Sequence, residues 1–326
     1  MGNGIILGVD GGGTHSTAIA VDQSGRVLAK VKGESLNYHN IGIRTARSNL
    51  KKTVDDLLCQ SGYQEYLHLV VGLSALDSLA DRKMTRDFAG DLFNPDRLTL
   101  ESDAYAALMG VTLGEAGAIV ICGTGSMILL VDREGKEHVR GGWGTTLGDA
   151  CSSYALALGG MRASIAAQEG YGKETRLVQA VLDHFDIRHL RDLINIVYNP
   201  QCTPAVLAGF APQVLSLAKD GDEVAGEILR READVLITQA SSLLQAHPDV
   251  NVVGIHGGIF QHNPWVGEKF SSRLQATTPN VHVIWPEYPP EVGAVMYAFK
   301  QKGKLTSNLL KTIKKSFLEL DNHVCY

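Results

Sequence analysis

The chain opens with two apolar runs joined by a glycine-rich turn. Ile5–Leu7 and Val9 lead to Asp10, three glycines and Thr14 follow, and the alternation TAIAV begins at Thr17. Short apolar runs on either side of a glycine cluster are typical of a β-hairpin, and no helical period follows the glycines. We therefore predict strand, turn and strand, in which glycine N–H groups can approach a phosphate because no side chain blocks them. A tight surface hairpin needs the same glycines and is the alternative.

The next hundred residues alternate between strand and helix patterns. VLAKV predicts a third strand, and a polar loop containing Asn37 follows it. Residues 45–62 have helical spacing and predict a helix that ends at Gly62. Residues 67–76 then predict a buried strand, and residues 81–93 predict a helix. Residues 96–110 predict a short strand that turns into a helix near Asp103. This order predicts an α/β domain with a mixed sheet.

The opening layout then repeats. Residues 116–136 read as apolar strand, Gly-Thr-Gly turn and apolar strand, with Cys122 before the turn and Ser126 after it. Two glycine hairpins of this size, each opening an α/β pattern, predict an internal repeat of two domains. Four glycine turns are expected after apolar strands, at Gly11, Gly123, Gly257 and Gly293, and ligands of α/β domains bind at such strand ends. With two domains, the expected binding site is the cleft between them.

The second half is mainly helical before it returns to strands. Helices are predicted from Ser153 to about Ala246, with a break near Asn199 and one long amphipathic helix over residues 223–246. A strand, the Gly257 turn, a further strand and a helix follow. We expect domains at 1–114 and 115–300, the second enlarged by the helical region, and a terminal helix in 301–326 that packs back on the first domain.

Composition narrows the class of protein. The 326 residues carry 44% hydrophobic and 20% charged side chains, which is ordinary for a globular protein of two domains. A formal net charge of −5 argues against nucleic-acid binding. No apolar run is long enough to span a membrane, and the five cysteines lack metal or disulfide spacing. We expect a cytoplasmic protein with reduced thiols.

Three carboxylates stand out as candidates for chemistry. Asp10 ends the first strand, where it could hold a Mg²⁺-bound water. Asp103 and Asp149 could each orient the proton of an attacking hydroxyl, although a helix cap is the ordinary alternative for both. Trp143 is interpreted as a packing residue rather than a sugar platform. Cys122 and Cys151 are interpreted as small apolar residues.

The combined motifs resemble those of the N-acetylglucosamine kinases. They are GVDGGGTHSTAIAVD, SLN at residues 35–37, ESDAYAA, ICGTGS, GGWGTTLGD, GIHGGIF and PPEVGAV, which cover nearly the whole chain. That family belongs to the superfamily of sugar kinases, actin and heat-shock chaperones. The resemblance implies two ribonuclease-H-like domains with ATP and Mg²⁺ in the cleft between them, and a homodimer.

The resemblance also implies site residues. Phosphate binding is implied for the two glycine loops, which are Gly11, Gly12, Gly13, Thr14 and Gly123, Thr124, Gly125, Ser126. Adenosine binding is implied for Gly257, Gly258, His262 and Ala208, and a place near Mg²⁺ for Asp10. Sugar binding is implied for Asn37, Ser126, Met127, Gly142, Trp143, Gly144 and Asp149. Asp103 corresponds to the base that holds the sugar 6-hydroxyl.

Two departures from the family leave the sugar open. Ala150 and Cys151 stand where many relatives have Glu-Gly, and Met127 stands where some have a polar residue. Both changes make the expected pocket less polar, so glucosamine and N-acetylmuramate are alternatives to N-acetylglucosamine. Two other functions are weighed: an activator ATPase of a 2-hydroxyacyl-CoA dehydratase, with an iron–sulfur cluster on Cys122 and Cys151, and a non-catalytic sensor of sugar and ATP.

Overall fold

The computed structural model describes residues 4–74, 76 and 83–323. The first two residues of the helix predicted over 81–93 lie outside this part of the chain. Two compact units result: unit 1 is Met1–Ile119 with Trp285–Tyr326, and unit 2 is Val120–Ile284. The domain expected over 115–300 is longer than unit 2, because residues 115–119 and 285–300 belong to unit 1.

Both units contain strands and helices. The strands are β1 (Ile5–Gly11), β2 (His15–Asp22), β3 (Val27–Glu34), β4 (Tyr66–Leu73), β5 (Leu98–Ser102), β6 (Gly117–Cys122), β7 (Ser126–Val131), β8 (Glu137–Gly141), β9 (Val252–His256) and β10 (His282–Ile284). The helices are α1 (Tyr38–Ile41), α2 (Ile43–Ser61), α3 (Lys83–Ala89), α4 (Asp103–Thr112), α5 (Gly144–Leu147), α6 (Ser153–Gln168), α7 (Leu177–Phe185), α8 (Leu193–Val197), α9 (Pro204–Ala208), α10 (Ala211–Lys219), α11 (Glu223–Ala246), α12 (Gly258–His262), α13 (Pro264–Thr277), α14 (Pro290–Gln301) and α15 (Ser307–His323).

The predicted repeat is present in the two sheets. Strands of unit 1 lie in the order β3-β2-β1-β4-β5, and those of unit 2 in the order β8-β7-β6-β9-β10. In unit 1, β1 is antiparallel to β2 and parallel to β4, which is parallel to β5. Each sheet therefore has a central strand with its hairpin partner on one side, and on the other side the fourth strand that the chain adds to that sheet, which is β4 or β9. The α/β class with mixed sheets is confirmed.

The first strand is apolar throughout because both of its faces are covered. Ile5, Leu7 and Val9 belong to the core cluster that includes Leu50 of α2. Ile6 points to the other face and belongs to the cluster that includes α14 and α15. Successive side chains of a strand point to opposite faces, so a strand between two helical layers needs apolar residues at every position.

Helix α14 packs closely on β1 and α4. A Cβ atom at Gly8 would collide with the carbonyl oxygen of Glu291, and one at Gly293 would collide with the carbonyl oxygen of Ala106. Gly293 is thus a helix-packing residue, and the glycine turn predicted there is wrong. The reason is that glycine occurs both in turns and where two helices pack closely, and the sequence alone does not distinguish the two.

The terminal helix α15 lies against the edge of unit 1. Ile313 is fully buried, and the Ser316 hydroxyl oxygen accepts a hydrogen bond of 2.9 Å from the backbone N–H of Val27. The hydroxyl therefore pairs an N–H at the start of β3, the edge strand of this sheet.

Unit 2 carries the helical region between β8 and β9. Seven helices, α5 to α11, occupy it in the described chain. Helix α11 has the bounds that its amphipathic pattern predicts, and the predicted break near Asn199 falls between α8 and α9. Among the described helices, we find none that is both long enough and apolar enough to cross a bilayer.

Candidate active site

Three parallel strands of unit 1 end at one edge of its sheet and deliver the candidate residues there. Asp10 lies at the end of β1, Ser74 follows β4, and Asp103 follows β5. The backbone N–H of Ser74 donates to the carbonyl oxygen of Gly11 at 3.1 Å, which ties two of these ends together. Carboxyl ends of parallel strands are the usual ligand side of α/β sheets.

The first glycine hairpin is open to a ligand. A Cβ at Gly13 would meet nothing within 4 Å, whereas one at Gly11 would lie 2.8 Å from the carbonyl oxygen of Gly72. Thr14 is exposed, with its hydroxyl 3.0 Å from Nδ1 of His15. The predicted hairpin of β1 and β2 is confirmed. Gly11 is therefore needed for strand packing, while Gly12, Gly13 and Thr14 form the tip.

A neighbouring loop holds this hairpin in place. The Ser35 hydroxyl donates to the carbonyl oxygen of Gly13 at 2.9 Å. Asn37 caps α1, because its side chain accepts from the N–H of Asn40 at 3.2 Å, and its amide nitrogen lies 3.4 Å from the Ser74 hydroxyl. The sequence motif included Ser35, but the sequence does not reveal its role, because the contact joins residues that are distant along the chain.

Asp103 is not the cap of its helix. Ser102 caps α4 by accepting a hydrogen bond of 3.1 Å from the N–H of Tyr105. The cap alternative for Asp103 is therefore wrong. Burial raises the pKa of Asp103 to about 6, partly opposed by the N–H of Ala104. A Cβ at Gly72 would lie 3.3 Å from the Cα of Asp103, so the strand packs directly under this residue.

Asp10 lies in a concentration of negative charge. The pKa of Asp10 is raised to about 8, chiefly by burial and in addition by the negative charges of Asp103 and Glu291. Glu291 is 4% exposed and lies 3.6 Å from Nζ of Lys30. A cation close to Asp10 would relieve this repulsion between acidic side chains. Glu291 lies in the PPEVGAV motif, but sequence reasoning assigned it no role.

The second glycine hairpin lies in unit 2. The N–H of Gly123 donates to the carbonyl oxygen of Gly125 at 2.9 Å, and a Cβ at Gly123 would meet nothing within 4 Å. Thr124 is exposed. Ser126 is buried, and its hydroxyl donates to the carbonyl oxygen of Ala150 at 2.7 Å. Ser126 therefore fixes the loop around Asp149 to the hairpin.

Asp149 is buried beside this hairpin in an unusual conformation. It is 5% exposed and has a φ of 61°, a left-handed value that few residues other than glycine adopt. Burial raises the pKa of Asp149, and the N–H groups of Ser126 and Gly144 oppose that rise. Its Oδ1 atom is buried without a hydrogen-bond partner in the described residues. The cap of the next helix is Ser152, so the cap alternative for Asp149 is also wrong.

The loop before Asp149 presents an aromatic ring to solvent. Gly142 and Gly144 have φ values of 71° and 79°, and Trp143 between them is 73% exposed. The interpretation of Trp143 as a packing residue is therefore wrong. Met127 adjoins this loop, because a Cβ at Gly142 would lie 3.5 Å from the Cβ of Met127.

Family comparison agrees with the two-sheet fold and the order of its motifs. The pattern of the BadF/BadG/BcrA/BcrD ATPase family matches residues 7–298. The chain belongs to that family.

Relatives of this family member include named amino-sugar kinases. The chain is 26% identical over 318 residues to the N-acetyl-D-glucosamine kinase of Dictyostelium discoideum, covering 93% of this chain and all of the relative. It is 31% identical over 230 residues to the glucosamine kinase GspK of Vibrio cholerae, covering 70% and 76%. A solved structure from Chromobacterium violaceum, provisionally named N-acetylglucosamine kinase, superposes with a TM-score of 0.74 at 25% identity, covering 90% and 98%.

The Gly257–Gly258 segment lies directly after β9. Gly257 has a φ of 102°, and a Cβ there would collide with the backbone of Cys122. His262 is exposed at the end of α12, while Ala208 is buried on α9. Gly257 therefore allows two neighbouring strand ends to approach each other, which is a structural reason for glycine at this position.

Cys122 and Cys151 lie together in unit 2. Both are buried, and burial raises the pKa of the Cys122 thiol, as does the hydrogen bond between the two side chains. A cluster shared between two protein chains needs thiolates at a surface. This pair is buried, so its geometry favours the interpretation as apolar packing and disfavours the activator ATPase.

Proposed function

We propose that this protein is an ATP-dependent hexosamine kinase that transfers the γ-phosphoryl group to the 6-hydroxyl of an amino sugar, with N-acetyl-D-glucosamine as the leading substrate. The observation that carries the proposal is the carboxylate of Asp103, which has no capping role and has a pKa raised to about 6. A carboxylate poised near neutral pH is suited to general-base work. The named activities of the relatives from Dictyostelium discoideum and Vibrio cholerae support the substrate class.

In this proposal Asp103 accepts the proton of the sugar hydroxyl. The oxygen attacks the γ-phosphorus, the new O–P bond forms as the bond to the bridging oxygen breaks, and ADP leaves. Gly12, Gly13 and Thr14 on one hairpin, and Thr124 and Gly125 on the other, are proposed to donate hydrogen bonds to the phosphates, while Gly123 shapes the second turn. Gly257, Gly258, His262 and Ala208 are proposed for adenosine.

Asp10 and Glu291 are the residues that would hold Mg²⁺. The acidic surroundings of Asp10 support this assignment. When bound, the ion neutralises charge on the ATP phosphates. Lys30 lies beside Glu291 and compensates part of the negative charge of this cluster.

The sugar is proposed to contact Asn37, Asp149 and the loop over residues 142–144. The buried Oδ1 of Asp149 lacks a partner in the described chain, and a sugar hydroxyl would supply one. The exposed ring of Trp143 offers a face for stacking. Met127 and Cys151 make the neighbourhood less polar, so glucosamine and N-acetylmuramate stay open as alternatives. We further propose a cytoplasmic homodimer.

The deciding experiment measures ADP release with Mg·ATP against N-acetylglucosamine, glucosamine, N-acetylmuramate, glucose and no sugar. We expect turnover on one amino sugar above all others. ATP hydrolysis that is independent of every sugar would contradict the proposal.

The role of Asp103 is tested with Asp103→Asn. We expect kcat to fall by at least about 10²-fold with little change in the sugar KM, because a neutral amide cannot accept the proton. Asp96→Asn is the matched control, since Asp96 is exposed and lies just before β5, the strand that Asp103 follows. Unchanged kcat in Asp103→Asn would remove Asp103 from the mechanism.

A further inference from the structure

A second cluster of polar side chains lies in unit 2 at the far end of the β7–β8 hairpin. Asp132 follows β7, His138 lies on β8, and His247 follows the last residue of α11. Each offers one ligand atom, and these atoms all lie within 4.8 Å of one another. Six residues of strand separate Asp132 from Ser126, which is about 20 Å at the usual rise. The cluster is therefore distinct from the glycine hairpin.

The carboxylate of Asp132 is held by the backbone of its own turn. Its Oδ1 accepts hydrogen bonds of 2.9 Å from the N–H groups of Glu134 and Lys136. Its other oxygen, Oδ2, lies 2.8 Å from Nε2 of His138. One oxygen thus serves the turn, and the second is oriented toward the two histidines before any ion binds, which is how outer contacts orient metal ligands.

The two histidines face each other from different elements. Strand pairing places His138 opposite Leu130, while His247 is fixed at the C-terminus of α11 by a bond of 3.1 Å from its N–H to the carbonyl oxygen of Leu244. The ring centroids lie 3.9 Å apart with an interplanar angle of 47°. The bond between Asp132 and His138 explains the placement of those two side chains, but it does not explain why a second imidazole is held against them.

We propose that Asp132, His138 and His247 form a binding site for a divalent transition-metal ion of the zinc class, with water in a fourth position. Two imidazole nitrogens and one carboxylate oxygen are a common ligand set for such ions. Magnesium prefers an all-oxygen octahedral shell, so Mg²⁺ supplied for ATP would compete weakly. Tetrahedral bonds of about 2.0–2.1 Å place ligand atoms about 3.3 Å apart, which small side-chain rotations can reach from the observed spacing.

Metal binding displaces the proton that bridges His138 and Asp132. The Nε2 lone pair of neutral His138 binds the ion, and the proton is carried on Nδ1 instead; an imidazolium would release one proton to solvent. The ion then joins the β7–β8 turn to the end of α11. Because β8 leads into the loop that contains Trp143, this connection stabilises the framework behind that loop.

The test uses the full chain after chelator treatment, titrated with ZnCl₂ in millimolar Mg²⁺ by calorimetry. We expect one equivalent to bind and the melting temperature to rise with zinc concentration, as ligand binding to the folded state requires. His247→Gln and Asp132→Asn should each weaken binding at least about tenfold, the lower end of the effect of losing even an outer contact. Asp132→Asn keeps an oxygen for the turn, so it guards against misfolding.

Two control variants separate this site from other ligands. His282→Gln removes an exposed histidine on β10 of the same unit, and Cys59→Ser removes an exposed thiol; both should bind zinc as the unmodified protein does. Cobalt substitution should give a visible ligand-field band that His247→Gln abolishes. Binding that is unaffected in His247→Gln and Asp132→Asn, absence of one-equivalent binding, or a cobalt–thiolate charge-transfer band would each overturn the proposal. None of these measurements depends on kinase activity.

Discussion

At the scale of single residues, the burial of Asp103 raises the pKa of its carboxyl group and lowers the stability of the folded protein at neutral pH. Its folded-state pKa of about 6 exceeds the ordinary value of 3.8. The folded protein therefore binds this proton more tightly than the unfolded chain, and stability is lost as the pH rises from about 4 to about 6. At neutral pH the full cost of an ionised buried carboxylate is present.

Asp103→Asn should consequently stabilise the protein at pH 7 while it lowers kcat. The gain is at most about 3 kcal/mol, from about two pKa units at about 1.4 kcal/mol each. Urea unfolding of both proteins at pH 7 and at pH 4.5 measures it, and the difference should shrink at the lower pH. A variant that is less stable than the parent at pH 7 would show that the carboxylate is compensated in the folded state.

At the scale of elements, the crossing of α14 and α4 depends on one glycine. A methyl group at Gly293 would meet the carbonyl oxygen of Ala106 on α4, which is backbone and cannot rotate away. Gly293→Ala should therefore separate the two helices and destabilise unit 1 by about 1–3 kcal/mol, the usual range for overpacking. Denaturant midpoints give the change.

Gly226→Ala is the matched control for that prediction. Gly226 lies in α11, and a Cβ there would meet nothing within 4 Å. The same substitution should be neutral or stabilise the protein by up to about 1 kcal/mol, because alanine is the better helix former. Equal effects of the two substitutions would contradict the close-packing argument.

At the scale of the whole molecule, the two units differ in how the chain builds them. Unit 2 is one continuous stretch, whereas unit 1 needs Trp285–Tyr326 to return after it. In a fragment ending at residue 119, Ile6 and Val70 would lose Val292 and Val295 of α14, which cover them in the same core cluster. Unit 1 should therefore fail to fold without the C-terminal segment.

Two fragments test this difference. Residues 115–284, which include the whole of β6, should unfold cooperatively and show dispersed amide resonances. Residues 1–119 should be unfolded or aggregated, because buried apolar area on one sheet face is exposed to water. A folded 1–119 fragment would show that α14 and α15 contribute little to unit 1.

Local sequence patterns determined most of the elements and the repeat. The hairpin of β1 and β2, the end of α2 at Gly62 and the bounds of α11 follow from period, glycine and capping signals that act within a few residues. The motif order likewise identified the family and the two-domain α/β class. These features could be predicted because neighbouring residues alone produce them.

Only the tertiary structure decided which residue does which work. It shows that Ser102 and Ser152 cap the helices, so Asp103 and Asp149 do not. It places Gly293 inside a helix. It also brought Glu291 toward Asp10, across 280 residues of chain. Close helix packing and electrostatic coupling depend on distances between residues that are remote in sequence. Capping depends on which of several neighbouring polar side chains turns back to the helix N-terminus. A local pattern of apolar and polar positions encodes neither.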